Sequence, residues 1–599
     1  MTFTPPSGFT TRPTLEGTFG MAASTHATAT AVAQAVLERG GNAFDAAVAG
    51  GFVLHIVEPH LNGPGGDLVG IFQSADATEP TVLMGQGPAP AGATIAHFTA
   101  EGLDLVPGAG GLAAAVPGAV DAWLVLLRDH GTWELGDVLS FAIGYARDGH
   151  PLLPAAATTI ARVADLFRES WPTSAAQWMP GGEIPAAGSL VRNPAYAAVL
   201  ERLAAAGDGA VDRRERIDAA RREWKTGLVA QAASAFLAQP HRHSSGSDHA
   251  GVIAPADFAA FDAGYEPAVI ADFRGYVVAK AGAWTQGPAL LEALRILDGF
   301  EGEALDPATA RGAHTIIEAL KLALADRDAY FGDARDAGGL VDALLSEEYV
   351  ASRRAEIGER ASREWRPGAL QGRLPFSPPL RRDGGLAAAA AGAGEPTVAK
   401  SGVTRGDTCH IDVVDRWGNI VAVTPSGGWL QSSPTVPELG FCLGTRLQMT
   451  WLDEASPSAL RPGTRPRTTL TPTLVLRDGA AVMACGTPGG DQQEQWQLPM
   501  LVRMLAGGYT PQQAIDAAAL HTTAVVDSFW PRTWTPAGVV AEDRLGADVI
   551  DELTARGHDV TVSGPWSLGR LSAVGIDRSR GVLWAAANPR GMQGYAAGR

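Results

Sequence analysis

The chain has 599 residues, a hydrophobic content of 46% and a formal net charge of −17 at pH 7. This length allows several domains, and the apolar fraction supplies a large buried core. Because the balance is acidic and no Lys/Arg run occurs, neither nucleic acid nor an anionic membrane is an expected partner.

Cysteine content and the first residues indicate the compartment. The three cysteines, Cys409, Cys442 and Cys485, suggest no disulfide framework. The segment after Met1 lacks the basic region and apolar core of a signal peptide, and no apolar run reaches membrane-spanning length. We therefore expect a soluble cytoplasmic protein.

The amino-terminal part predicts a strand followed by helices. Residues 21–26 favour a strand, and residues 27–39 favour a helix that ends at Gly40-Gly41. Residues 43–56 are rich in Ala and Val and predict a second, buried helix. Two further helices are expected, one running up to about Arg128 and one over residues 135–147.

A glycine cluster follows the second helix, in the segment Asn62–Asp67. It resembles a phosphate-binding loop, but no Lys-Ser/Thr pair follows it, and the strand-like run Leu68–Phe72 comes next. We interpret these glycines as positions where the backbone passes close to a ligand or to another strand.

Residues 195–237 predict surface helices, and the charged block Arg213–Arg216 is interpreted as a solvated helix face. His241, His243 and His249 lie in a Ser/Gly-rich stretch. Three histidines could bind a metal, but no carboxylate or cysteine framework accompanies them, so a polar loop is favoured. No metal site is predicted.

The next elements are a strand over residues 275–279 and helices over residues 289–297 and 308–330. In the longer helix, Ile316, Ile317, Leu320 and Leu324 recur at helical spacing and are expected to face the core.

A β-hairpin is predicted over residues 408–424, because apolar and polar residues alternate after Thr408 and the pattern breaks at Trp417-Gly418-Asn419. Residues 386–404, before it, are rich in Ala and Gly without periodicity, which is typical of a flexible connector. A connector that ends in Asp407-Thr408 at the start of a strand is what an N-terminal nucleophile hydrolase needs before it cuts itself. An ordinary Asp-Thr pair at a strand start is the alternative.

Two more strands are predicted, through Leu476 and over residues 480–485. The second ends in Gly486-Thr487-Pro488-Gly489-Gly490-Asp491, and a helix begins near Gln493. Backbone N–H groups of paired glycines at such a junction can bind an oxyanion. A plain tight turn is the alternative.

From Met21 almost to the last residue, the chain resembles the γ-glutamyltransferase family of N-terminal nucleophile hydrolases. Single matching segments are weak, but the ordered set is specific to the family. In the family's order, these segments are residues 41–47, 58–60, 116–118, 146–149, 325–327, Thr408 with His410 and residues 413–415, Thr468-Thr469, and residues 486–490.

The resemblance implies an α+β fold, a four-layer αββα sandwich formed by two chains cut from one precursor. Cleavage between Asp407 and Thr408 would give a large subunit, residues 1–407 with a flexible linker at about 386–407, and a small subunit, residues 408–599. The two would stay together as one αββα domain. No metal or organic cofactor is required.

The resemblance also implies the catalytic residues. Thr408 would attack first the carbonyl of Asp407 and, after cleavage, a substrate amide, with its own α-amine as the base. Gly489 and Gly490 resemble the oxyanion-hole pair of the family. Ser426 stands where the family has a Thr that hydrogen-bonds the nucleophile.

The residues that bind glutamate in the family are largely replaced. Its Arg-Glu-Thr-Ala-Pro motif corresponds to residues 86–90, where Gln86 begins the segment and the Arg is missing. A bidentate guanidinium–carboxylate pair cannot be replaced by an amide without losing charge and geometry. The family's Asp also has no counterpart in residues 444–451, and Gly428 replaces an Asn.

Some donor-site positions keep related chemistry. Thr468 and Thr469 replace a Ser-Ser pair, and Arg446 adds a cation near the expected donor pocket, which keeps an anionic acyl group in consideration. Loss of a charged partner from a buried site costs recognition on the order of 10³-fold. We therefore predict poor γ-glutamyl transfer from glutathione.

The sequence thus predicts an autoprocessed Thr amidohydrolase that acts on a small-molecule amide, with water or an amine as acceptor. This pattern, with the catalytic residues kept and the glutamate-binding residues replaced, is similar to that of family members that act on other amides, such as cephalosporin-type acylases and oxamate amidohydrolase. Two alternatives stay open. One is a true γ-glutamyltransferase or glutathione hydrolase, and the other is an unprocessed, non-catalytic binding relative.

Overall fold

The computed structural model of the protein describes residues 3–333, 337–382 and 408–599. The expected linker at 386–407 and the expected cleavage residue Asp407 lie outside these ranges. The strands within them are β1 (Leu15–Gly17), β2 (Gly20–Ser24), β3 (Asp67–Gln73), β4 (Thr81–Gly85), β5 (His150–Pro151), β6 (Leu190–Val191), β7 (Pro240–Arg242), β8 (Asp248–Ala250), β9 (Gly264–Pro267), β10 (Val269–Phe273), β11 (Tyr276–Lys280), β12 (Ile411–Asp415), β13 (Ile420–Ser426), β14 (Thr473–Arg477), β15 (Ala480–Gly486), β16 (Leu520–Thr522), β17 (Gly538–Glu542), β18 (Asp559–Ser563), β19 (Ser572–Asp577), β20 (Val582–Ala587) and β21 (Tyr595–Gly598).

The α-helices of the same ranges are α1 (Ala27–Glu38), α2 (Ala43–Val57), α3 (Ile95–Ala100), α4 (Ala119–His130), α5 (Leu135–Asp148), α6 (Pro154–Glu169), α7 (Pro172–Trp178), α8 (Pro194–Ala205), α9 (Arg213–Thr226), α10 (Leu228–Leu237), α11 (Pro255–Ala260), α12 (Gly287–Leu297), α13 (Ala310–Tyr330), α14 (Ala337–Leu345), α15 (Glu347–Ala355), α16 (Gln493–Leu505), α17 (Pro511–Asp516) and α18 (Ala547–Ala555). No helix among the described residues is both long enough and apolar enough to cross a membrane.

Two antiparallel sheets, each of seven strands within the described ranges, form the centre of the molecule. The first sheet has the order β1-β20-β19-β15-β14-β11-β10, and the second has the order β21-β2-β12-β13-β3-β4-β9. Their facing side chains form one apolar cluster, to which Leu474 and Val574 of the first sheet and Val69 and Val414 of the second contribute. The sheets therefore pack face to face.

Helices cover both outer faces. Residues of α1, α2, α4 and α5, such as Phe52 and Trp123, share a core with the outer face of the second sheet. Residues of α12, α13 and α16, such as Leu294 and Leu498, do the same for the first sheet. The layers are helix, sheet, sheet and helix, so the predicted αββα sandwich is confirmed.

Both sheets mix strands from the two sides of the proposed cut. The first sheet takes β1, β10 and β11 from before residue 407, and the second sheet takes β12, β13 and β21 from after it. Two chains produced by such a cut would share both sheets, and the division into subunits itself stays a prediction.

Side-chain alternation along β12 and β13 places the polar residues between the sheets. Ile411 and Val413 pack with the outer helices, whereas Val414 packs between the sheets. Because successive side chains of a strand point to opposite faces, residues 408, 410 and 412 face the first sheet. The inter-sheet layer is therefore apolar around Val414 and polar around Thr408.

The segment 195–237, predicted as surface helices, is more buried than expected. It forms α8, α9 and α10, and Tyr196, Ile217 and Trp224 are buried against the rest of the molecule. The charged block Arg213–Arg216 lies at the start of α9 and has carboxylate and carbonyl partners on neighbouring elements. For example, Arg216 pairs with Glu134 at 2.8 Å. The block is thus a packed helix end as well as a polar face.

Candidate active site

Thr408 lies at the mouth of the inter-sheet layer, next to Ser426. The two residues form an isolated antiparallel bridge, and their hydroxyl oxygens are 3.2 Å apart. The Cys409 N–H donates to the Pro425 carbonyl at 2.9 Å and extends the β12–β13 ladder up to this point. The structure therefore brings together the two hydroxyl groups that the sequence analysis paired, and both are buried.

His410 lies one pleat away from Thr408 and hydrogen-bonds two residues of the second sheet. Its Nδ1 lies 2.8 Å from the Thr424 Oγ1, and its Nε2 lies 2.7 Å from the Asp412 Oδ1. The Ser572 hydroxyl of β19 donates to the other Asp412 oxygen at 2.7 Å. Burial raises the pKa of Asp412, and the neighbouring His410 opposes that rise. Both ring nitrogens are engaged, so His410 positions the strands and is not directed at Thr408.

Glu58 is a buried carboxylate beside the start of β12 that the sequence analysis did not assign. It accepts hydrogen bonds from the Thr25 hydroxyl at 2.6 Å, the Cys409 thiol at 3.0 Å and the Gln593 amide. Burial and the charge of Glu58 raise the pKa of the Cys409 thiol well above its usual value, so the thiol is a neutral donor. The signal for Glu58 was its place in the matching segment 58–60.

The turn after β15 requires glycine. Gly489 and Gly490 have φ angles of 135° and 53°, which side chains rarely adopt. A Cβ on Gly489 would lie 2.2 Å from the Trp496 ring, and one on Gly486 would lie 2.2 Å from the His410 ring. Neither the Gly489 N–H nor the Gly490 N–H has a hydrogen-bond acceptor among the described residues. The turn thus begins beside His410 and carries two unused backbone donors.

A buried polar network holds this turn. The Gln286 amide donates to the Gly490 carbonyl at 2.9 Å, and Arg327 donates to the Gln286 side chain at 2.7 Å. Arg327 also forms a short ion pair with Asp491, which accepts from the Ser528 hydroxyl at 2.6 Å. Burial opposes the ionisation of Asp491, but Arg327, Arg467 and the hydrogen bonds from Ser528 together outweigh burial and lower the pKa of Asp491. In the sequence, Arg327 is marked only by its place in the matching segment 325–327.

Thr468 and Thr469, predicted to bind substrate, meet the same network. Thr468 bridges to Thr285, and the Gln286 N–H donates to the Thr468 carbonyl at 3.0 Å. The Gln286 amide also donates to the Thr469 carbonyl at 3.3 Å. The Thr469 hydroxyl is buried and has no partner among the described residues. Gln286 therefore joins the Thr468-Thr469 segment to Gly490.

Arg446 and Gln86, also predicted to bind substrate, both contact Asp67. The Arg446 guanidinium holds the Asp67 carboxylate through two hydrogen bonds, of 2.6 and 2.7 Å, and both residues are buried. Gln86 is a further hydrogen-bond partner of Asp67. Burial raises the pKa of Asp67, and Arg446 acts against that rise. The charge of Arg446 is thus compensated within the protein, and its role in binding an anionic acyl group stays a prediction.

The glycine cluster at Asn62–Asp67 packs against other backbone segments. The Gly63 N–H donates to the Gly427 carbonyl at 2.8 Å. A Cβ on Gly65 would lie 2.1 Å from the Cys442 carbonyl oxygen, and one on Gly66 would lie 2.1 Å from that of Ser426. The interpretation that the backbone passes close to another strand here is confirmed.

The histidines of the Ser/Gly-rich stretch have protein partners. The Leu112 N–H donates to His243 Nε2 at 2.8 Å, and His249 Nδ1 lies 2.7 Å from a Glu101 oxygen. The stretch forms the small β7–β8 hairpin, which contains His241 and His249. These contacts agree with a polar loop.

One group within the described ranges has metal-ligand chemistry, namely His314, Glu318 and His558. Its two imidazoles contact each other, with His314 Nδ1 2.8 Å from His558 Nε2. Glu318 is engaged by Lys321 at 2.5 Å and by Arg366 at 2.9 Å. These contacts account for the cluster as a polar link between α13, the turn after α18 and the segment after α15.

Two antiparallel sheets packed face to face between two helical layers form the αββα sandwich of the N-terminal nucleophile hydrolases. The chain belongs to the gamma-glutamyltranspeptidase family, whose model matches residues 29–598. The protein is therefore a gamma-glutamyltranspeptidase-like amidohydrolase or acyltransferase.

Individual relatives agree over the whole length. The "Glutathione hydrolase-like YwrD proenzyme" of Bacillus subtilis (strain 168) is 29% identical, over 96% of this chain and 98% of the relative. The solved structure of LmbA2991HD is 52% identical with a TM-score of 0.92, over 99% of this chain and 100% of that one. The solved structure of the cephalosporin acylase from Bacillus halodurans is 26% identical with a TM-score of 0.81, and the match covers 100% of this chain and 99% of that one.

Proposed function

We propose that the protein is an autoprocessing amide hydrolase with Thr408 as its nucleophile, acting on an acyl group other than γ-glutamyl. The contact between the Thr408 and Ser426 hydroxyls, 3.2 Å at the head of β12, is the observation that carries this proposal. The description of a relative as a proenzyme supports the processing step.

Self-cleavage begins when the Thr408 Oγ1 attacks the carbonyl carbon of Asp407. The peptide C–N bond breaks as the acyl group moves from nitrogen to oxygen, and the nitrogen gains the proton that the hydroxyl loses. Water then hydrolyses the ester, which leaves a carboxylate on Asp407 and restores the Thr408 hydroxyl beside a new α-amine.

In turnover, the α-amine takes the hydroxyl proton while Oγ1 attacks the substrate amide carbonyl. The same proton passes to the departing amine when the amide bond breaks. Water, or an amine in acyl transfer, then cleaves the acyl ester. The unused N–H groups of Gly489 and Gly490 suit the developing oxyanion, a type of contact whose removal typically costs about 10²–10³ in kcat.

Ser426 and Arg327 would act as positioning residues. The Ser426 hydroxyl fixes the orientation of the nucleophile, and Arg327 holds the glycine turn through Gln286 and Asp491. Because the Arg327–Asp491 pair is buried and multiply hydrogen-bonded, it is a rigid support for donors that must not move during the reaction.

The donor side supports an acyl group other than γ-glutamyl. Gln86 stands where the family has its arginine, and Arg446 is held by Asp67. One relative is named a cephalosporin acylase, so the family includes members with other donors. A true glutathione hydrolase is the second candidate, favoured by the name of another relative.

A panel of chromogenic anilides tests the proposal. We expect turnover of one or more non-glutamyl anilides and little turnover of the γ-glutamyl anilide. Thr408→Ala should abolish turnover and self-cleavage together, whereas Thr554→Ala, on the exposed side of α18, should change neither. Efficient γ-glutamyl release would favour the glutathione hydrolase. A folded chain that is never cut and never active would favour the non-catalytic relative.

A further inference from the structure

A cavity of about 370 Å³ lies between α6, the segment that follows α2, and the segments that precede β19 and β21. Its wall includes His60, Arg162, Arg570, Arg590 and Gln593. Three of these side chains are guanidinium groups, and no carboxylate side chain is among the described residues that line the cavity. The volume is in the range of small-molecule sites.

Arg570 connects this cavity to Thr408. Its Nη2 lies 3.5 Å from the Thr408 carbonyl oxygen, at the outer limit of a hydrogen bond. Arg570 stands two residues before β19, in the first sheet, whereas Thr408 heads a strand of the second sheet. Arg570 therefore links the cavity wall to the segment that carries the reacting hydroxyl.

The charges around the cavity are unequally compensated. Glu542 binds Arg590 through two hydrogen bonds, of 2.8 and 3.0 Å. The nearest recorded carboxylate to Arg570 is Glu58, at 4.0 Å. Glu58 already accepts from the Thr25 hydroxyl and the Cys409 thiol. Arg570 is thus a cation at a cavity wall whose nearest carboxylate, Glu58, lies at 4.0 Å and already accepts other hydrogen bonds.

His60 is a buried polar residue that also lines the cavity. It is 3% exposed, and its Nδ1 is buried without a partner among the described residues. Burial, with a contribution from Arg570, lowers the pKa of His60 to about 3, so the imidazole is neutral and can donate one hydrogen bond. A buried polar group of this kind is costly unless a ligand or water satisfies it.

We propose that this cavity binds a carboxylate of the substrate, with Arg570 as the anion-binding residue and His60 as its neutral neighbour. This rests on the proposed function, since it makes the substrate a carboxylate-bearing amide. A guanidinium presents paired N–H donors that match a carboxylate. Arg570, in the segment before β19, would supply the anion recognition that Gln86 cannot provide.

Isothermal titration with malonate, succinate and glutarate tests the binding directly, with the corresponding diamides as neutral controls. We expect at least one dicarboxylate to bind at least tenfold more tightly than its diamide. Arg570→Gln should weaken it by roughly 10- to 1,000-fold, as for truncation of a buried charge partner. The dicarboxylate affinity of Arg570→Lys should lie between those of the wild type and Arg570→Gln, because lysine keeps the charge but loses the paired N–H donors of the guanidinium. Arg147→Gln, at an exposed arginine, should bind as the wild type does.

Equal binding of dicarboxylates and diamides, the absence of dicarboxylate binding, or an unchanged Arg570→Gln affinity would each overturn the proposal. Circular dichroism checks that the variants fold. If Arg570→Gln does not fold, Arg570→Lys and His60→Gln are titrated instead, and an unchanged dicarboxylate affinity in both variants would overturn the proposal. Self-cleavage, read on a denaturing gel, is independent of this binding. An uncut chain that binds dicarboxylates would refute the proposed function alone.

Two substrates distinguish where the carboxylate is carried. N-(4-nitrophenyl)succinamate has it on the acyl part, and 4-acetamidobenzoate has it on the leaving amine. Each is compared with its methyl ester. Arg570→Gln should remove the preference for the acid over the ester in whichever pair shows one, and an acid preference that survives this substitution would contradict the assignment.

Discussion

Replacement of Arg327 by Met tests the network beneath the glycine turn. Arg327 is fully buried and donates to Asp491, Asp328 and the Gln286 side chain, so its loss leaves two carboxylates without their main partner. Removing one partner of a buried pair costs about 3–5 kcal/mol. Arg467, 3.4 Å from Asp328, compensates part of this charge. We therefore expect the free energy of unfolding to fall by about 3 kcal/mol, the lower end of that range.

The loss of stability in Arg327→Met should depend on pH, and the direction of that dependence follows from the pKa of Asp491. Its pKa is lowered in the folded state, so its contribution to stability is present above the ordinary Asp pKa and is lost as the pH falls through the folded value. The difference between the wild type and Arg327→Met should be largest at neutral pH and should narrow below about pH 4.

Urea unfolding followed by tryptophan fluorescence measures this effect, in a Thr408→Ala background that keeps the chain in one piece. Arg147→Met, at an exposed arginine, is the matched control and should leave the midpoint unchanged. In the mature enzyme, Arg327→Met should lower kcat by roughly 10²-fold, since small displacements of catalytic groups have effects of that size. An unchanged midpoint and kcat, or a stability loss that does not vary with pH, would refute the reasoning.

Three further predictions concern the same site. Ser426→Ala should reduce kcat by roughly 3- to 10-fold, the value of one hydrogen bond, whereas Ser426→Thr, which keeps the hydroxyl, should retain the wild-type kcat. Steady-state kinetics measures both variants. Gly489→Ala should lower the free energy of unfolding by about 1–3 kcal/mol and should reduce activity more severely, because Gly489 has a positive φ and its Cβ would meet the Trp496 ring. Gly136→Ala, in open space on α5, should change neither quantity. Thermal unfolding of the two variants measures the difference in stability. Asp67→Asn and Arg446→Gln should each destabilise, and a double-mutant cycle in urea should give a coupling of about 1.5 kcal/mol or more; additive losses would mean that the pair is not formed.

Local pattern was sufficient to predict much of the fold. The hairpin predicted at 408–424 is β12 and β13, and the helix predicted at 43–56 is α2. Both segments carry strong periodicity and clear ends, so local preference and tertiary packing agree. The pairing of Thr408 with Ser426 was implied by the family resemblance, since the hairpin was predicted to end at residue 424, and the structure places the two residues opposite each other.

Contacts between residues distant in sequence could not be predicted. Asp67 lies 379 positions before Arg446, and no local pattern indicates that the two form a buried pair. The role of Glu58 could not be predicted either, because its partners Cys409 and Gln593 come from distant parts of the chain. Such pairings depend on how the strands are ordered in the sheets, which single-sequence periodicity does not determine.

Identification of the first residue of the small chain tests the central claim most directly. Amino-terminal sequencing and intact-mass measurement of the purified protein, after prolonged incubation, should show two chains, with the smaller one beginning at Thr408. A different first residue, or a single chain that is never cut, would contradict the assignment of Thr408 as the nucleophile.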